Sequence, residues 1–260
     1  MRGKSLIHVA LLSCSLILML SFPSWGQSAN LTLDQILANM QRAEAAFHEQ
    51  GTAYTVIREY QLSAQGAQRP SSDVVAQVNV LSPSAKDYSI VKSEGSDRGA
   101  GIVRKVLDHE AQMAGQSEQH EISRRNYDFA LLGRETVDGH DCYVLQLRPK
   151  REAVELINGK AWIDAQNFAM RQIQGSTAKN PSIWLKGLTL TITYGQVNGV
   201  WVQTSTQAVA DVRFAGPHVL TSRELEVWPA LLSAQAKAQW QARQRRKHYA
   251  EADAAAWMAR

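Results

Sequence analysis

The sequence predicts an α+β fold in which one antiparallel sheet of about ten strands carries two helices. Three observations support this fold class. Apolar residues recur at every second position in ten short segments, which is typical of strands. Two other segments space their apolar residues as helices do. The pairs Asp138-Gly139 and Asn198-Gly199 suit tight hairpins that need positive φ, so neighbouring strands are expected to run antiparallel.

Residues 1–26 predict a cleavable secretory signal peptide. Two basic residues precede the apolar run Leu6–Phe22, and small residues then allow cleavage after Gly26. Two alternatives stay open, an uncleaved anchor helix and lipidation within Leu11–Cys14. A signal peptide implies that the mature protein is exported from the cytoplasm.

The first predicted helix covers Thr32 to Gln50. Thr32 and Gln35 have the spacing of a capping box, and Gly51 is a suitable end. The apolar residues that share one face of this helix are Leu33, Ile36, Leu37, Met40 and Phe47. The helix is therefore amphipathic and is expected to pack on a core.

The predicted strands begin where the apolar period changes to two, after Ala53. Their approximate bounds are Tyr54–Leu62, Val74–Leu81, Tyr88–Ser93, Tyr127–Gly133, Cys142–Arg148, Leu156–Ile163, Phe168–Gln174, Gly187–Tyr194, Val200–Val212 and His218–Val227. A further pair, Asn158-Gly159, is expected to mark another bend or a bulge.

A second helix is predicted over Gly101–Ala114, between polar segments that we expect to be loops. Together with the strands it completes one domain over residues 27–229. After Trp228-Pro229, residues 230–260 are rich in alanine, glutamine and arginine and predict an appended basic helix or tail. Contact of that tail with anionic lipid headgroups remains an alternative.

The charge distribution argues against a nucleic-acid-binding protein, and the cysteine content excludes a disulfide-stabilised fold. Between Gln27 and Pro229 acidic and basic side chains nearly balance, which argues against a nucleic-acid-binding body. Without the signal peptide only Cys142 remains, so no internal disulfide is possible. Cys142 is expected to be a small buried side chain rather than a reactive thiol.

The sequence shows no recognisable catalytic or metal-binding pattern. The histidines have none of the spacings of zinc sites, and no nucleophile elbow is present. Asp138 and Asp141 flank a tight turn, which explains them without an active site. We therefore expect a protein that is not an enzyme and has no cofactor.

Arg58 interrupts the apolar face that Tyr54, Val56, Tyr60 and Leu62 form along one strand. Two interpretations are open. The side chain either extends to the rim with its stem buried, or it lies inside as the partner of a polar headgroup or a glutamate.

The apolar area of the predicted sheet exceeds what two helices can cover. Leu188, Leu190, Ile192 and Tyr194 share one strand face. An incompletely covered apolar face is a binding site for an apolar ligand. The alternative is a sheet that curls and fills its own interior.

Three motifs suggest a family. They are the hairpin from Leu131 to Leu147 (LLGRETVDGHDCYVL), the strand Trp162–Asp164 (WID) and the long hairpin from Ser182 to Val212. This pattern resembles the outer-membrane lipoprotein-sorting (LolA-like) superfamily of periplasmic proteins. The resemblance is clearest between Asn126 and Val227, weaker over Leu31–Leu81 and absent from the tail.

The resemblance implies a sheet curled into an incomplete β-barrel, with the two helices as lids over an apolar inner face. It implies a periplasmic carrier of lipoprotein acyl chains or other lipids, in lipoprotein sorting or lipid transport. The alternative is an envelope sensor or scaffold that binds a protein partner through the basic tail. The residues predicted to bind the ligand are Tyr54, Val56, Tyr60, Tyr143, Leu145, Leu147, Trp162, Leu188, Leu190, Ile192 and Tyr194.

Overall fold

Ten strands form one antiparallel sheet in the computed structural model, which describes residues 31–49, 53–82, 84–229, 238, 239 and 242. Their bounds are β1 Tyr54–Ala64, β2 Ser72–Ser82, β3 Ala85–Gly95, β4 Tyr127–Val137, β5 His140–Pro149, β6 Ile157–Asp164, β7 Met170–Thr177, β8 Leu185–Val197, β9 Val200–Val212 and β10 Gly216–Pro229. The predicted ten-stranded antiparallel sheet and the α+β class are confirmed. The predicted signal peptide and basic tail lie outside the described residues, apart from three helical positions of the tail.

The order of strands across the sheet is β3-β2-β1-β10-β9-β8-β7-β6-β5-β4. Strands β4 to β10 form a continuous meander, and β10 then pairs with β1, which joins the meander to the β1–β3 hairpins. The sheet is open, because β3 and β4 are its two edges.

Three helices are present among the described residues: α1 Leu33–Glu49, α2 Asp97–Ala114 and α3 Ser117–His120. The capping box of α1 forms as predicted, with Thr32 N donating to Gln35 Oε1 at 2.8 Å. The second helix begins earlier than predicted, after the N-cap residue Ser96. The short α3 corrects the prediction of a loop for the polar segment after α2.

The two predicted hairpin turns have the expected backbone. Asp138 and Gly139 have φ values of 48° and 79°, and Asn198 and Gly199 have 50° and 81°. Asn158-Gly159 is not a bend, which corrects the prediction. It lies inside β6, where a Cβ on Gly159 would be 2.5 Å from the Gly175 Cα atom of β7. Glycine is needed there for close strand approach, not for a turn.

The sheet has apolar side chains on both faces. We name the face that contacts α2 the α2 face. There Val103 and Leu107 of α2 pack with Tyr60, Val74 and Ala76 of β1 and β2. Clusters on the other face contain Ile57, Val75 and Trp228, and also Cys142, Val144 and Trp162. None of the described helices is long and apolar enough to cross a bilayer.

Helix α1 reaches from the β4 edge of the sheet to the β8–β9 hairpin. Asp34 in its first turn forms an ion pair with Arg124, shortly before β4. Near its other end, Phe47 stacks on Trp201 of β9 with ring centroids 5.8 Å apart. Between these contacts Ile36 and Leu37 are buried. The amphipathic face predicted for this helix therefore does pack on the protein.

Candidate functional site

The register of the strands brings part of the α2 face together as an apolar furrow. Leu190 of β8 lies opposite Ala208 of β9, which lies opposite Leu220 of β10. Two residues earlier on β8, Leu188 lies opposite Ala210, and two residues later Ile192 lies opposite Thr206. Residues two apart on a strand point to the same face. We name as the furrow the set Leu188, Leu190, Ile192, Ala208, Ala210 and Leu220.

The shape of the furrow follows from its side-chain sizes. Ala208 and Ala210 form a low floor along β9, with leucines and isoleucine on β8 to one side and Leu220 on the other. All six residues are half-buried. On the same face, Leu145 and Leu147 of β5 and Val74 and Ala76 of β2 are fully buried. The furrow is therefore the partly accessible strip between two closed parts of the face.

A charged group lies at one end of the furrow. Arg58 as a whole residue is 6% exposed, and its Nη2 donates to the Gln203 carbonyl oxygen at 2.9 Å. Its Nη1 lies 3.8 Å from the Glu110 carboxylate of α2. The Arg58 cluster, as we name it, consists of Tyr54, Arg58, Tyr60, Lys86, Glu110 and Tyr194. Arg58 is thus an internal partner of a glutamate, and the interpretation that it extends to the rim is wrong.

Burial sets the ionisation of the Arg58 cluster. Burial opposes the charge on Arg58, but Tyr60 and Glu110 outweigh it, and the pKa of Arg58 is raised. Burial raises the pKa of Tyr194 to about 12 and also raises that of Tyr60. The pKa of Lys86 is lowered by burial. At neutral pH the cluster combines a charged guanidinium with neutral phenols.

One buried polar atom in this cluster is unsatisfied. Within the described chain, the Tyr60 hydroxyl has no hydrogen-bond partner in good geometry, although it lies beside Arg58. A buried hydroxyl without a partner costs free energy. The cluster therefore retains hydrogen-bonding capacity for a polar group placed next to the guanidinium.

Glu110 reaches the cluster because it lies on the side of α2 that faces the sheet. Val103, Leu107 and Glu110 follow one another at intervals of four and three residues, so they share the buried stripe of α2. At the start of the helix, a Cβ on Gly99 would lie 2.4 Å from the Ser72 Cβ atom of β2. The start of α2 is therefore held tightly against β2.

The structure brings six of the predicted ligand-binding residues to this region. Leu188, Leu190 and Ile192 line the furrow, and Tyr54, Tyr60 and Tyr194 belong to the Arg58 cluster. Val56 lies beside them but is packed with Val202 and Val227. Tyr143, Leu145 and Leu147 lie further across the α2 face on β5 and are buried.

Trp162 does not lie with the other predicted residues. It pairs with Val144 of β5, so it points to the face opposite Tyr143 and Leu145. There it packs with Cys142 and Val144, and its Nε1 donates to Glu135 Oε2 at 2.8 Å. Its neighbours Ala161 and Ile163 are the residues that share a face with Leu145 and Tyr143.

Other residues singled out in the sequence have structural partners. Asp141 forms an ion pair with Arg134 at 2.9 Å. His120 lies 3.2 Å from the Met113 carbonyl oxygen. Cys142 is fully buried, and burial raises the pKa of its thiol to about 11. These contacts explain the residues without assigning them a chemical role.

Two surface clefts lie away from the furrow. One of about 400 Å³ is lined by Lys150, Arg151 and Glu152, and one of about 340 Å³ contains Glu118 and Arg125. Both are polar and lie around the end of β5 and the segment before β4. Their lining does not match the apolar chemistry of the furrow.

Sequence reasoning missed five contributors to the site: Ala208, Ala210 and Leu220 of the furrow, and Lys86 and Glu110 of the Arg58 cluster. Ala208 and Ala210 flank Val209 on β9, so this part of the strand has no clear polar alternation, and alanine in a strand gives no signal of a furrow. Glu110 had a usable signal, since it falls on the apolar stripe of a predicted helix that also carries Val103 and Leu107. Its partner across the sheet became visible only with the strand register.

Comparisons with known proteins give the following similarities. A protein-family model with the description "uncharacterized protein" matches residues 110–213. A search of the curated proteins finds no match.

Among solved structures, a LolA superfamily protein from Nitrosomonas europaea is 15% identical, with a TM-score of 0.41. The match covers 78% of this chain and 97% of that chain. A putative outer membrane lipoprotein-sorting protein domain from Vibrio parahaemolyticus is 14% identical, with a TM-score of 0.40. Here the match covers 75% of this chain and 92% of the other.

Proposed function

We propose that this protein is a periplasmic, non-enzymatic binding protein for the acyl chain of a lipid or lipoprotein. The observation that carries the proposal is the furrow, a half-buried apolar strip between two closed parts of one sheet face. The motifs at Leu131–Leu147 and Trp162–Asp164, which resemble lipoprotein-sorting proteins, support the same function.

The furrow and the adjoining Arg58 cluster together have the length of a long acyl chain. Leu188 and Tyr194 are six residues apart on β8, a distance of about 20 Å along a strand. Burial of each methylene contributes about 0.8 kcal/mol. Burial of about ten methylenes would contribute about 8 kcal/mol, which is the free energy of micromolar binding before the cost of association and of ordering the chain is subtracted.

The Arg58 cluster fits the polar end of such a ligand. Its buried guanidinium is charged, and the neighbouring Tyr60 hydroxyl has unused hydrogen-bonding capacity. A carboxylate or phosphate oxygen would satisfy both groups. The ligand would thus lie with its chain in the furrow and its acidic group towards Arg58.

Helix α2 acts as the lid in this proposal. Its start is fixed against β2 at Gly99, whereas Glu110 is held to the sheet through the ion pair with Arg58. An incoming acidic group would compete with Glu110 for Arg58. Release of Glu110 would exchange contacts between the helix and the sheet for contacts between the acyl chain and the sheet.

The test is capture of a fluorescent fatty acid by two variants of β8. Leu190→Glu places a carboxylate in the furrow, and we expect it to abolish capture. Thr189→Glu is the matched control, because Thr189 is the adjacent exposed residue on the opposite face. Unchanged capture by a folded Leu190→Glu variant would remove the furrow from the site.

The alternative function is an envelope sensor or scaffold that binds a protein partner through residues 230–260. The cluster Arg243, Arg245, Arg246 and Lys247 is the sequence feature that favours it. Deletion of residues 230–260 separates the two functions. Loss of a co-purifying partner with intact fatty-acid capture would favour the scaffold.

A further inference from the structure

The end of the sheet away from the Arg58 cluster carries an exposed apolar tip. It is formed by the β7–β8 loop, residues 178–184, and the β9–β10 loop, residues 213–215. The two loops are joined, because Arg213 N donates to the Trp184 carbonyl oxygen and Arg213 Nε to the Ile183 carbonyl oxygen, each at 2.8 Å. The tip is therefore one surface rather than two independent loops.

Three large apolar side chains point from this tip into solvent. Ile183 is 81% exposed, Trp184 is 61% exposed and Phe214 is 98% exposed. Single exposed apolar residues are normal on a protein surface, but three such side chains on two joined loops form a patch. Phe214 also has a φ of 65°, an uncommon conformation for a bulky residue.

The charges around the tip are mostly positive. Lys179, Lys186 and Arg213 are exposed, and the sequence of the two loops and their adjoining residues 185–186 and 211–212 contains one acidic residue, Asp211. Asp211 lies 3.8 Å from Lys186. An apolar centre with a tryptophan and a basic rim is the composition that favours the interface of an anionic bilayer.

We propose that this tip docks the protein onto the surface of a bilayer that contains anionic phospholipid. Phe214, Trp184 and Ile183 enter the headgroup region, and the three cations contact the phosphates. Docking does not depend on the proposed acyl-chain binding. It would, however, bring the bilayer near Leu188, because β8 begins directly after the tip.

The test is co-sedimentation of the purified protein with vesicles of phosphatidylcholine alone or mixed with phosphatidylglycerol. We expect binding to the mixed vesicles that weakens with salt. Phe214→Ser should lower the partition coefficient about tenfold, the loss of one buried aromatic side chain. Leu81→Ser is the matched control, because Leu81 is 57% exposed at the end of β2 and away from the tip, and it should bind as the wild type does.

A second measurement tests whether the Trp184 side chain enters the bilayer. Brominated lipid should quench part of the tryptophan fluorescence, and Trp184→Phe should remove that part.

Equal binding of Phe214→Ser and the wild type would overturn the proposal, as would loss of binding only on deletion of residues 230–260. Absence of vesicle binding would also overturn it, and a photo-crosslink from position 214 to an envelope protein would then assign the tip to a protein partner. Fatty-acid capture should be the same in Phe214→Ser and the wild type, so this test is separate from that of the furrow.

Discussion

The guanidinium Nη1 of Arg58 lies 3.8 Å from the Glu110 Oε2 atom, which links α2 to β1. The Arg58 side chain is 8% exposed and that of Glu110 is 28% exposed. This pair is therefore shielded from solvent far more than an exposed ion pair such as Lys92–Glu94. It places a charge where the rest of the face is apolar.

Glu110→Gln should destabilise the protein, because it leaves the buried Arg58 without its charged partner. We expect the free energy of unfolding in urea to fall by about 2 kcal/mol. Amide hydrogen exchange in the last turns of α2 should become faster. Glu94→Gln is the control, since its pair with Lys92 is exposed, and it should change stability by less than about 0.5 kcal/mol. Equal effects of the two substitutions would contradict this role of Glu110.

Two glycines of α2 should respond in opposite directions to alanine. Gly99→Ala places a Cβ 2.4 Å from the Ser72 Cβ atom, and we expect it to lower stability by about 1–3 kcal/mol. Around Gly101 there is open space, so Gly101→Ala should raise stability by up to about 1 kcal/mol through helix propensity. Urea unfolding of both variants measures this. If both substitutions stabilise the protein, the start of α2 is not held against β2.

The raised pKa of Tyr194 predicts a loss of stability at alkaline pH. Burial favours the neutral phenol in the folded state, which raises its pKa from 10.0 to about 12. This contribution is complete below pH 10 and is lost as the pH rises towards 12, because the unfolded chain releases its proton first. Urea unfolding between pH 8 and 11 should show a smaller alkaline loss for Tyr194→Phe than for the wild type. Parallel curves would show that Tyr194 ionises freely.

Trp162→Phe tests the placement of Trp162 on the opposite face. The substitution removes the hydrogen bond to Glu135, and we expect a loss of stability of about 1 kcal/mol. Fatty-acid capture by the folded variant should equal that of the wild type. Reduced capture at unchanged stability would return Trp162 to the ligand site.

The sequence predicted the sheet well because its strands alternate and its turns need special residues. Asp138-Gly139 and Asn198-Gly199 adopt the positive φ values that their composition demands. The face of Trp162 was harder to predict, because all four residues from Ala161 to Asp164 are buried. When a strand is buried on both faces, apolar and polar residues do not alternate along it, so the sequence does not indicate which face each side chain is on.

The role of Gly99 and the pairing of Arg58 were hidden for a different reason. Both depend on contacts between elements that are distant in the chain, Gly99 with Ser72 and Arg58 with Glu110. The spacing of apolar residues in the sequence predicts where a helix forms, but it does not predict which strand that helix packs against. The helix α2 also starts four residues before Gly101, because its first turns contain Gly99 and Gly101, and glycine is a poor indicator of helix.

The most direct test of the acyl-chain account is native mass spectrometry of the protein and of Ala208→Phe after incubation with phospholipid. Phenylalanine at position 208 fills the floor of the furrow without adding charge, whereas Gln207→Phe adds the same side chain on the opposite face. The account predicts a lipid-bound mass for the wild type and Gln207→Phe, and only the lipid-free mass for Ala208→Phe. A lipid-free mass for the wild type, or retained lipid in Ala208→Phe, would contradict it.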